Sequence, residues 1–537
     1  MNAPNGAERS EKGRPMDLVQ RRSAAGAAKP EDALLLSIAG HDPTGGAGCT
    51  ADLAAWAAQG WRGASVCTAL TVQGADGVRR VQCSDSALVR DNLALLRAQA
   101  PVAAIKLGML GDAAVLRAVV EALESWVAAA PALPVVWDPV LGAGAGGRPL
   151  LRGADDAWLQ RLARVSSVIT PNRDEAAALL RLPRWRGDGA PPAEWVDAMR
   201  ARWLRGGRAQ AVLLKGGHAD GDASIDWLVG ARTLQAAAVA RLPDGGSTHG
   251  TGCLYASTVA AQLACGASVA DAAVEAQART RAAIARAWRG GSGLRLADSA
   301  ASGDSEDLPA LAAIDAPPAW PLPAPFAPLR EAPGLYVLAP DADWALRLLD
   351  WGARTVQLRI KHGDAKLRRA QIARVAAAAR ACDAQLFVND HWRDALEAAA
   401  FGVHLGQDDV AALPGTALDD LRAAGTRLGL STHNAAELAR AHALQPSYVA
   451  CGPVFATRSK ALAHQPLGLD GLRWWAARCK PRYALVAIGG IGIDQVGAAL
   501  RAGADGVAVI GAVIDSPDPR QALRVGLAQC ARDVGGP

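Results

Sequence analysis

Residues 335–360 read LYVLAPDADWALRLLDWGARTVQLRI, in which two short apolar runs, 335–339 and 355–360, flank a helical stretch. The same strand–helix pattern continues towards the C-terminal end and gives six further strand-like runs, at 385–389, 402–405, 428–432, 448–453, 485–489 and 506–510. Eight strand–helix units in roughly 200 residues predict a TIM (β/α)8 barrel, whose chemistry lies at the C-terminal ends of its strands.

The chain ahead of the barrel also alternates short apolar runs with Ala- and Leu-rich helical stretches. Its strand-like runs are 34–39, 64–72, 104–107, 135–138, 168–170 and 211–214. This order predicts an α/β domain with a mainly parallel sheet. No sequence repeat relates this part to the barrel, so we interpret the chain as a fusion of two unlike domains.

Composition marks the boundary between the two domains. Between about Gly290 and Pro333 the chain is rich first in Gly, Ser and acidic residues and then in Pro, which is typical of linkers. We therefore predict a disordered tail at 1–31, a first domain at 32–290, a linker at 291–332 and the barrel domain at 333–537. Because such a linker should add little to either core, a cut near residue 310 is expected to give two independent domains.

Length, charge and cysteine usage exclude several functional classes. The 537 residues exceed the ~250–300 that one hydrophobic core supports, and the net charge of +5 is scattered, so nucleic acid is not an expected partner. Nine cysteines without a C-x-x-C pair favour a reducing cytoplasm over a disulfide framework or a zinc site. No apolar run reaches the ~20 residues of a membrane span, so we expect small-molecule partners and no membrane partner. A homo-oligomer remains open.

The tail at 1–31 raises the question of targeting. Its Arg21-Arg22 pair is compatible with an export or transit signal. No apolar segment follows the pair, and acidic residues are mixed in, so we interpret the tail as disordered.

The stretch 248–253, THGTGC, precedes an apolar Ala-rich helical stretch in the first domain. Small residues that lead into a helix direct several backbone N–H groups at one point, where the helix dipole adds positive potential. This pattern predicts an anion hole. Cys253 at the helix start would have a lowered pKa and could accept a proton from an attacking hydroxyl, although a buried packing role is the alternative.

Polar residues follow the strands of the predicted barrel at the ends where its chemistry is expected. Asp390 and Asp409 are two separated carboxylates, and Arg359 and Lys460 are cations at other strand ends. A magnesium-bound diphosphate requires such a set. Glycines after the seventh and eighth strands fit a barrel phosphate site, where bare backbone donates N–H groups.

The first domain resembles the ribokinase-like superfamily, and within it the hydroxymethylpyrimidine/phosphomethylpyrimidine kinases. The motifs that carry the resemblance are SIAGHDPTGGAG, ALTVQ, KLGML, DPV, TPNRDE, LLKGGH and HGTGC. The resemblance implies the following residues: Gly40, Asp52, Gln73 and Val140 for the pyrimidine, Lys215 as a catalytic cation near the ATP phosphates, Asn172 and Glu175 for magnesium and phosphate, and Gly250, Thr251, Gly252 and the catalytic Cys253 for the anion hole.

The second domain resembles thiamine phosphate synthase through QLRIK, VND, GVHLGQDD, GLSTH, GPVFATRSK, AIGGI and GADGVAVIGA. The resemblance assigns Gln357, Arg359, Lys361, Asn389, Thr457, Ser459 and Lys460 to the pyrimidine diphosphate, with Arg359 and Lys460 catalytic. It assigns Asp390 and Asp409 to magnesium, Ser431 to the pyrimidine side, and Gly490, Ile510 and Gly511 to the thiazole phosphate.

Together the two resemblances imply an enzyme that phosphorylates a hydroxymethylpyrimidine twice with ATP and Mg²⁺ and then couples it to a thiazole phosphate. Two alternatives remain open. The kinase domain could act on another ring alcohol such as pyridoxal, or the barrel could be a non-catalytic sensor of thiamine phosphate.

Overall fold

The computed structural model describes residues 32–142, 149–187, 189–217, 221–243, 248–291, 293–313, 320–456 and 465–533. The expected disordered tail at 1–31 lies outside these residues. None of the helices in the described ranges is long and apolar enough to span a membrane.

The first domain alternates strands and helices as its sequence predicts. Its strands are β1 Leu34–His41, β2 Arg62–Gly74, β3 Gly77–Cys83, β4 Val102–Leu107, β5 Gly111–Asp112, β6 Val135–Trp137, β7 Leu151–Arg152, β8 Val168–Ile169, β9 Ala211–Leu214, β10 Ala223–Gly230, β11 Leu234–Ala240, β12 Trp288–Arg289, β13 Arg295–Leu296 and β14 Ala310–Ala313. Its helices are α1 Gly48–Ala58, α2 Ser86–Gln99, α3 Ala113–Ala129, α4 Asp156–Val165, α5 Arg173–Leu180, α6 Ala193–Met199, α7 Thr251–Ala264 and α8 Val269–Ala285, and a π-helical turn at Arg200–Leu204 continues α6.

Ten of these strands form one sheet in the order β14-β11-β10-β9-β8-β6-β4-β1-β2-β3. The six central strands of this order, β9, β8, β6, β4, β1 and β2, are parallel, and antiparallel strands extend both edges of the sheet. Helices cover both faces: Leu36 and Ile38 of β1 pack into one hydrophobic cluster and Leu35 into the other. A strand buried on both faces must be apolar along its length, which explains the run LLLSIAG. The mainly parallel sheet is therefore confirmed.

The second domain is a closed parallel barrel. Its strands are β15 Gly334–Ala339, β16 Thr355–Leu358, β17 Gln385–Asn389, β18 Gly402–Leu405, β19 Arg427–Thr432, β20 Tyr448–Cys451, β21 Ala484–Ile488 and β22 Gly506–Val509. Its helices are α9 Ala342–Asp350, α10 Ala365–Ala381, α11 Trp392–Glu397, α12 Gln407–Ala411, α13 Ala417–Ala423, α14 Ala435–Leu444, α15 Gly468–Cys479, α16 Val496–Arg501, α17 Gly511–Ile514 and α18 Pro519–Asp533, with a 3₁₀ turn at Ile493–Gln495.

Alternation along β15 divides the barrel core into two parts. Leu335, Val337 and Ala339 point outwards to the surrounding helices, whereas Tyr336 and Leu338 fill the barrel interior. Polar side chains at the C-terminal ends of these strands therefore converge above a solid core. The TIM barrel predicted from eight strand–helix units is confirmed.

The stretch 291–332 differs from the expected linker in its described residues. Strand β14 pairs antiparallel with β11 at the edge of the first sheet, and β13 pairs with β12. Leu308 and Phe326 are buried in the cluster that surrounds the barrel. A composition averaged over the whole stretch hides short apolar runs such as ALAA in β14. The expectation of a segment that adds little to either core is wrong for these residues.

Candidate active sites

Two glycine-rich loops meet at the C-terminal edge of the parallel strands of the first domain. Gly250 has φ +89°, and a Cβ there would lie 1.7 Å from the carbonyl oxygen of Gly46. A Cβ on Gly48, which has φ +65°, would lie 2.1 Å from the carbonyl oxygen of Gly40. Only glycine permits these two close backbone contacts, and the contact of Gly250 with Gly46 brings the loop after β1 against the turn that starts α7.

Lys215, directly after β9, supplies the cation at this turn. Its Nζ lies 2.7 Å from Oδ1 of the buried Asp138, which follows β6. A Cβ on Gly252, in the first turn of α7, would lie 3.3 Å from the same Nζ. Burial alone would lower the pKa of Lys215, but the carboxylates of Asp138 and Glu175 outweigh it and raise that pKa. A charged ammonium therefore lies beside the predicted anion hole.

Asn172 and Glu175 form a capping box at the start of α5. Asn172 Oδ1 accepts from the Glu175 N–H at 2.8 Å, and Glu175 Oε2 accepts from the Asn172 N–H at 2.7 Å. Burial raises the pKa of Glu175 to about 7, although nearby Lys215 opposes the shift. The strand segments at Asn172 and Lys215 also pair through a parallel bridge. The N-x-x-E element predicted from sequence is thus adjacent to the lysine.

Asp52 lies fully buried beneath the loop after β1. Its carboxylate accepts from Lys106 Nζ at 2.8 and 2.9 Å, from Ser257 Oγ at 2.7 Å and from Ser37 Oγ at 2.5 Å. Every one of these side chains is inaccessible to solvent. Asp52 therefore stabilises the floor of the site through Lys106, and its predicted contact with the pyrimidine remains a prediction.

Two of the other residues predicted for the pyrimidine pocket, Gly40 and Val140, lie around Met109. A Cβ on Gly40 would lie 3.0 Å from Met109 Sδ, and Val140 packs against the cluster that contains Met109. Gln73 lies at the end of β2, where its Nε2 is 3.1 Å from His249 Nε2. The same imidazole nitrogen is 2.7 Å from Asp42 Oδ2. An apolar wall and a polar amide thus adjoin the anion hole.

The structure reverses one expectation about Cys253. The thiol lies in the first turn of α7, as predicted, yet burial raises its pKa to about 11, with only partial opposition from the Lys106 ammonium. Desolvation outweighs the helix dipole here. Without substrate, Cys253 is therefore a protonated thiol at neutral pH.

In the barrel, Asp390 follows β17 and Asp409 lies in the first turn of α12, which follows β18. Asp390 has φ +64°, and Asp409 Oδ2 accepts from the Gly406 N–H at 2.9 Å. Partial burial, and then the carboxylate of Asp409, raise the pKa of Asp390, whereas Arg359 lowers it. Two acidic groups that repel each other beside an arginine are suited to bind a cation and an anion together.

A chain of buried hydrogen bonds crosses the barrel interior below these carboxylates. Gln357 Nε2 donates to Tyr336 Oη at 3.1 Å, and Tyr336 Oη lies 3.0 Å from Tyr448 Oη. His404 joins Tyr448 Oη at 2.7 Å to Ser431 Oγ at 2.8 Å. Through groups in the core, the chain links Gln357, which is predicted to bind the pyrimidine diphosphate, with Ser431, which is predicted for the pyrimidine side.

The remaining predicted barrel residues that the structure describes lie around the same opening. Asn389 ends β17 next to Asp390, and Arg359 and the exposed Lys361 follow β16. Gly490, with φ +69°, would place a Cβ 2.5 Å from the carbonyl oxygens of Phe455 and Ala456. Ile510 is 38% exposed and precedes Gly511, the first residue of α17. Thr457, Ser459 and Lys460 lie outside the described residues.

The donor set in the barrel fits magnesium if the substrate supplies part of the coordination shell. Among the described residues, no group of three or more His, Cys, Asp or Glu side chains is arranged to hold a metal ion. Mg²⁺ is commonly held by one or two carboxylates, with water and phosphate oxygens in the other positions. Asp390 and Asp409 would hold it in that way.

The sequence interpretation missed several residues that shape the two sites. Lys106, Asp138 and His404 stand inside quoted motifs, KLGML, DPV and GVHLGQDD, but had no assigned role. A charged or titratable residue within an otherwise apolar strand was the available signal, because such a group is rarely buried without a partner.

Comparisons with known proteins agree with the division of the chain into two domains. A family model described as phosphomethylpyrimidine kinase matches residues 42–297, and one described as thiamine monophosphate synthase matches residues 335–513. The thiamine-phosphate synthase of Neisseria meningitidis serogroup B is 45% identical over 201 residues, which are 37% of this chain and 95% of the relative.

Two solved structures are similar to the first domain. Phosphomethylpyrimidine kinase from Clostridium difficile 630 has 29% identity and a TM-score of 0.37, with 44% of this chain and 94% of that chain covered. Pyridoxal kinase from Staphylococcus aureus in complex with AMP-PCP and pyridoxal has 25% identity and a TM-score of 0.45, with 53% and 99% covered.

Proposed function

Because the chain belongs to the thiamine-phosphate synthase family and carries a phosphomethylpyrimidine kinase domain ahead of the synthase, we propose that the two sites described above perform its successive reactions. The enzyme is bifunctional and belongs to thiamine biosynthesis. The kinase phosphorylates 4-amino-5-hydroxymethyl-2-methylpyrimidine to its monophosphate and then to its diphosphate. The barrel couples the diphosphate to thiazole phosphate, which gives thiamine phosphate and free diphosphate.

One observation carries the assignment of residues. Each domain places a cation and carboxylates at the C-terminal ends of its own parallel strands: Lys215 with Asp138 in the kinase, and Arg359 with Asp390 and Asp409 in the barrel. Ligands bind at this edge in parallel α/β folds. Each cation therefore lies where a phosphate substrate would enter.

In the kinase, the backbone N–H groups of Gly250, Thr251 and Gly252 would donate to the transferring phosphoryl group, and Lys215 would neutralise its charge. Asn172 and Glu175 would position magnesium-bound phosphate of ATP. Cys253 would take the proton from the attacking hydroxyl. Since the resting thiol is protonated, this role requires that the thiol lose its proton when the substrates are bound.

In the barrel, Arg359, Lys361 and Lys460 would hold the diphosphate while the bond between the pyrimidine methylene carbon and the phosphate oxygen breaks. Bound Mg²⁺ supplies positive charge to the leaving diphosphate. Gln357 and Ser431 would orient the pyrimidine, whose methylene carbon then forms a bond with the thiazole nitrogen. Gly490, Ile510 and Gly511 would place the thiazole phosphate. No side-chain nucleophile is needed.

The alternative of a non-catalytic sensor barrel is not favoured, since the match to synthases extends over nearly the whole length of the relative. A kinase that also accepts pyridoxal is distinguished by competition: pyridoxal should inhibit phosphorylation of the pyrimidine only if it enters the same pocket.

The direct test combines the purified protein with hydroxymethylpyrimidine, thiazole phosphate, ATP and Mg²⁺. We expect thiamine phosphate, and we expect the synthetic pyrimidine diphosphate to remove the need for ATP. A folded protein that yields pyrimidine diphosphate but no thiamine phosphate would refute the barrel assignment.

The nine free cysteines favour a reducing compartment, and we place the enzyme in the cytoplasm.

A further inference from the structure

A single carboxylate of the kinase domain joins two helices that belong to different domains. Asp271 lies in the first turn of α8, where its Oδ2 accepts from Ser268 Oγ at 2.6 Å and from the Ser268 N–H at 3.3 Å. Its Oδ1 accepts from the N–H of Ala436 at 2.9 Å. Ala436 belongs to the first turn of α14 in the barrel, so Asp271 completes a helix cap across the domain boundary.

The capped helix directly follows β19, the strand that carries Ser431. The first N–H groups of a helix have no partner within the helix, and each buried one requires an acceptor. Asn434 Oδ1 accepts from the Glu437 N–H at 2.8 Å, and Glu437 Oε2 accepts from the His433 N–H at 2.8 Å. Ala436 is buried, and Asp271 supplies its acceptor. The turn from Ser431 to α14 is therefore held partly by the barrel and partly by the kinase.

Other contacts keep this carboxylate in place. One helical turn further along α8, Glu275 makes a buried ion pair with Arg478 of α15, with oxygens at 2.6 and 2.7 Å from Nη2. Val274 of α8 and Leu311 of β14 pack with Ala436 and Ala439 of α14 in one hydrophobic cluster. The buried ion pair and the apolar cluster restrict the movement of Asp271 away from α14.

We propose that Asp271 is a positioning residue for the coupling reaction: through Ala436 the kinase domain fixes the turn after β19 and thereby the pyrimidine-facing Ser431. This inference rests on the proposed role of Ser431. In an isolated synthase the same N–H needs another acceptor, whereas in this chain the kinase domain provides it.

The test measures coupling with synthetic pyrimidine diphosphate, which bypasses the kinase. Asp271→Ala should raise the KM for the diphosphate about fivefold, the factor that corresponds to roughly 1 kcal/mol, and should change kcat less than twofold. Asp271→Asn retains an oxygen acceptor for the Ala436 N–H and should restore KM. Hydrogen exchange of the amides in 431–440 should be faster in Asp271→Ala and near normal in Asp271→Asn.

Gln277→Ala is the matched control, because Gln277 lies in the same helix α8 and donates to the Ala237 and Ser224 carbonyls within the kinase domain, away from Asp271. It should leave KM and the exchange of 431–440 unchanged. Equal effects of Gln277→Ala and Asp271→Ala would overturn the proposal, as would an unchanged KM in Asp271→Ala. Should Asp271→Ala not fold, a raised KM with faster exchange at 431–440 in Asp271→Asn than in Gln277→Ala would equally overturn it. The role of Ser431 is tested separately: Ser431→Ala with an unchanged KM refutes that role and not the interface.

Discussion

His404 Nε2 lies 2.8 Å from Ser431 Oγ, at the end of the buried hydrogen-bond chain that begins at Gln357. The imidazole is therefore part of the core of the barrel and also supports the Ser431 hydroxyl, which we propose to face the pyrimidine. Burial, and then the nearby Arg359, lower the pKa of His404 to about 4. The imidazole is neutral at physiological pH, so one nitrogen donates and the other accepts between its two hydroxyl partners.

This burial makes stability depend on pH. Above the ordinary value of 6.5 the imidazole is neutral in both the folded and the unfolded chain. As the pH falls from 6.5 towards 4, only the unfolded chain binds the proton, so folded-state stability is lost across that window. His404→Gln should lower the overall free energy of unfolding. It should also make the dependence of that free energy on pH less steep between pH 4 and 6.5, by the amount that corresponds to about one proton. Denaturant titrations between these pH values would measure it, and an unchanged slope would contradict the buried neutral histidine.

Cys253→Ala should reduce pyrimidine phosphorylation by about 10²–10⁴-fold, because the attacking hydroxyl loses its proton acceptor. Since the thiol has a pKa of about 11, the wild-type rate should also rise between pH 7 and 9 as more thiolate forms, and the variant should lose this dependence. Cys265→Ala, at the other end of α7, is the control and should keep the wild-type profile. Coupling of supplied diphosphate should persist in both variants. A wild-type kinase rate in Cys253→Ala would leave Cys253 with a packing role.

Asp390→Asn combined with Asp409→Asn should abolish coupling and leave phosphorylation intact, because the barrel would lose both carboxylates for magnesium. Supplied pyrimidine diphosphate should not rescue the double variant, and a chelator should stop coupling in the wild type. Asp408→Asn changes a carboxylate in the same turn of α12 without touching the pair, so it should remain active. Coupling that is indifferent to both the substitutions and the chelator would refute the metal assignment.

Local sequence was sufficient for the folds and for the backbone-defined parts of the sites. Gly250 and Gly48 are required by close contacts with the backbone carbonyls of Gly46 and Gly40, and such glycines are visible in the sequence as motifs. The partners of Asp52 and Asp271 were not predictable, since Ser257 and Ala436 lie 205 and 165 residues away. The direction of the pKa shift of Cys253 was also missed. The start of a helix can be recognised from local sequence, whereas the burial of the thiol depends on the tertiary structure. Interactions between distant elements are what the sequence pattern leaves undetermined.

The interface between the domains predicts that they remain associated after the chain is cut between β14 and β15. We expect residues 1–316 and 317–537, produced together, to co-purify, because Val274, Leu311, Ala436 and Ala439 form one apolar cluster across the cut. A cut at residue 310 should instead weaken the kinase fragment, since it detaches β14 from its sheet.

Arg478→Ala leaves the carboxylate of Glu275 buried without its partner, a loss of about 3–5 kcal/mol for such pairs, and should raise the dissociation constant of the fragments at least 100-fold. Arg482→Ala is the matched control: its pair with Glu306 also joins the domains but is 3.5 Å long, with the Glu306 side chain 68% exposed, so affinity should change less than fivefold. Both dissociation constants can be measured by analytical ultracentrifugation. Fragments that separate freely would show that the domains are joined only by the chain, and an equal response to the two substitutions would show that the buried Glu275–Arg478 pair does not determine the affinity.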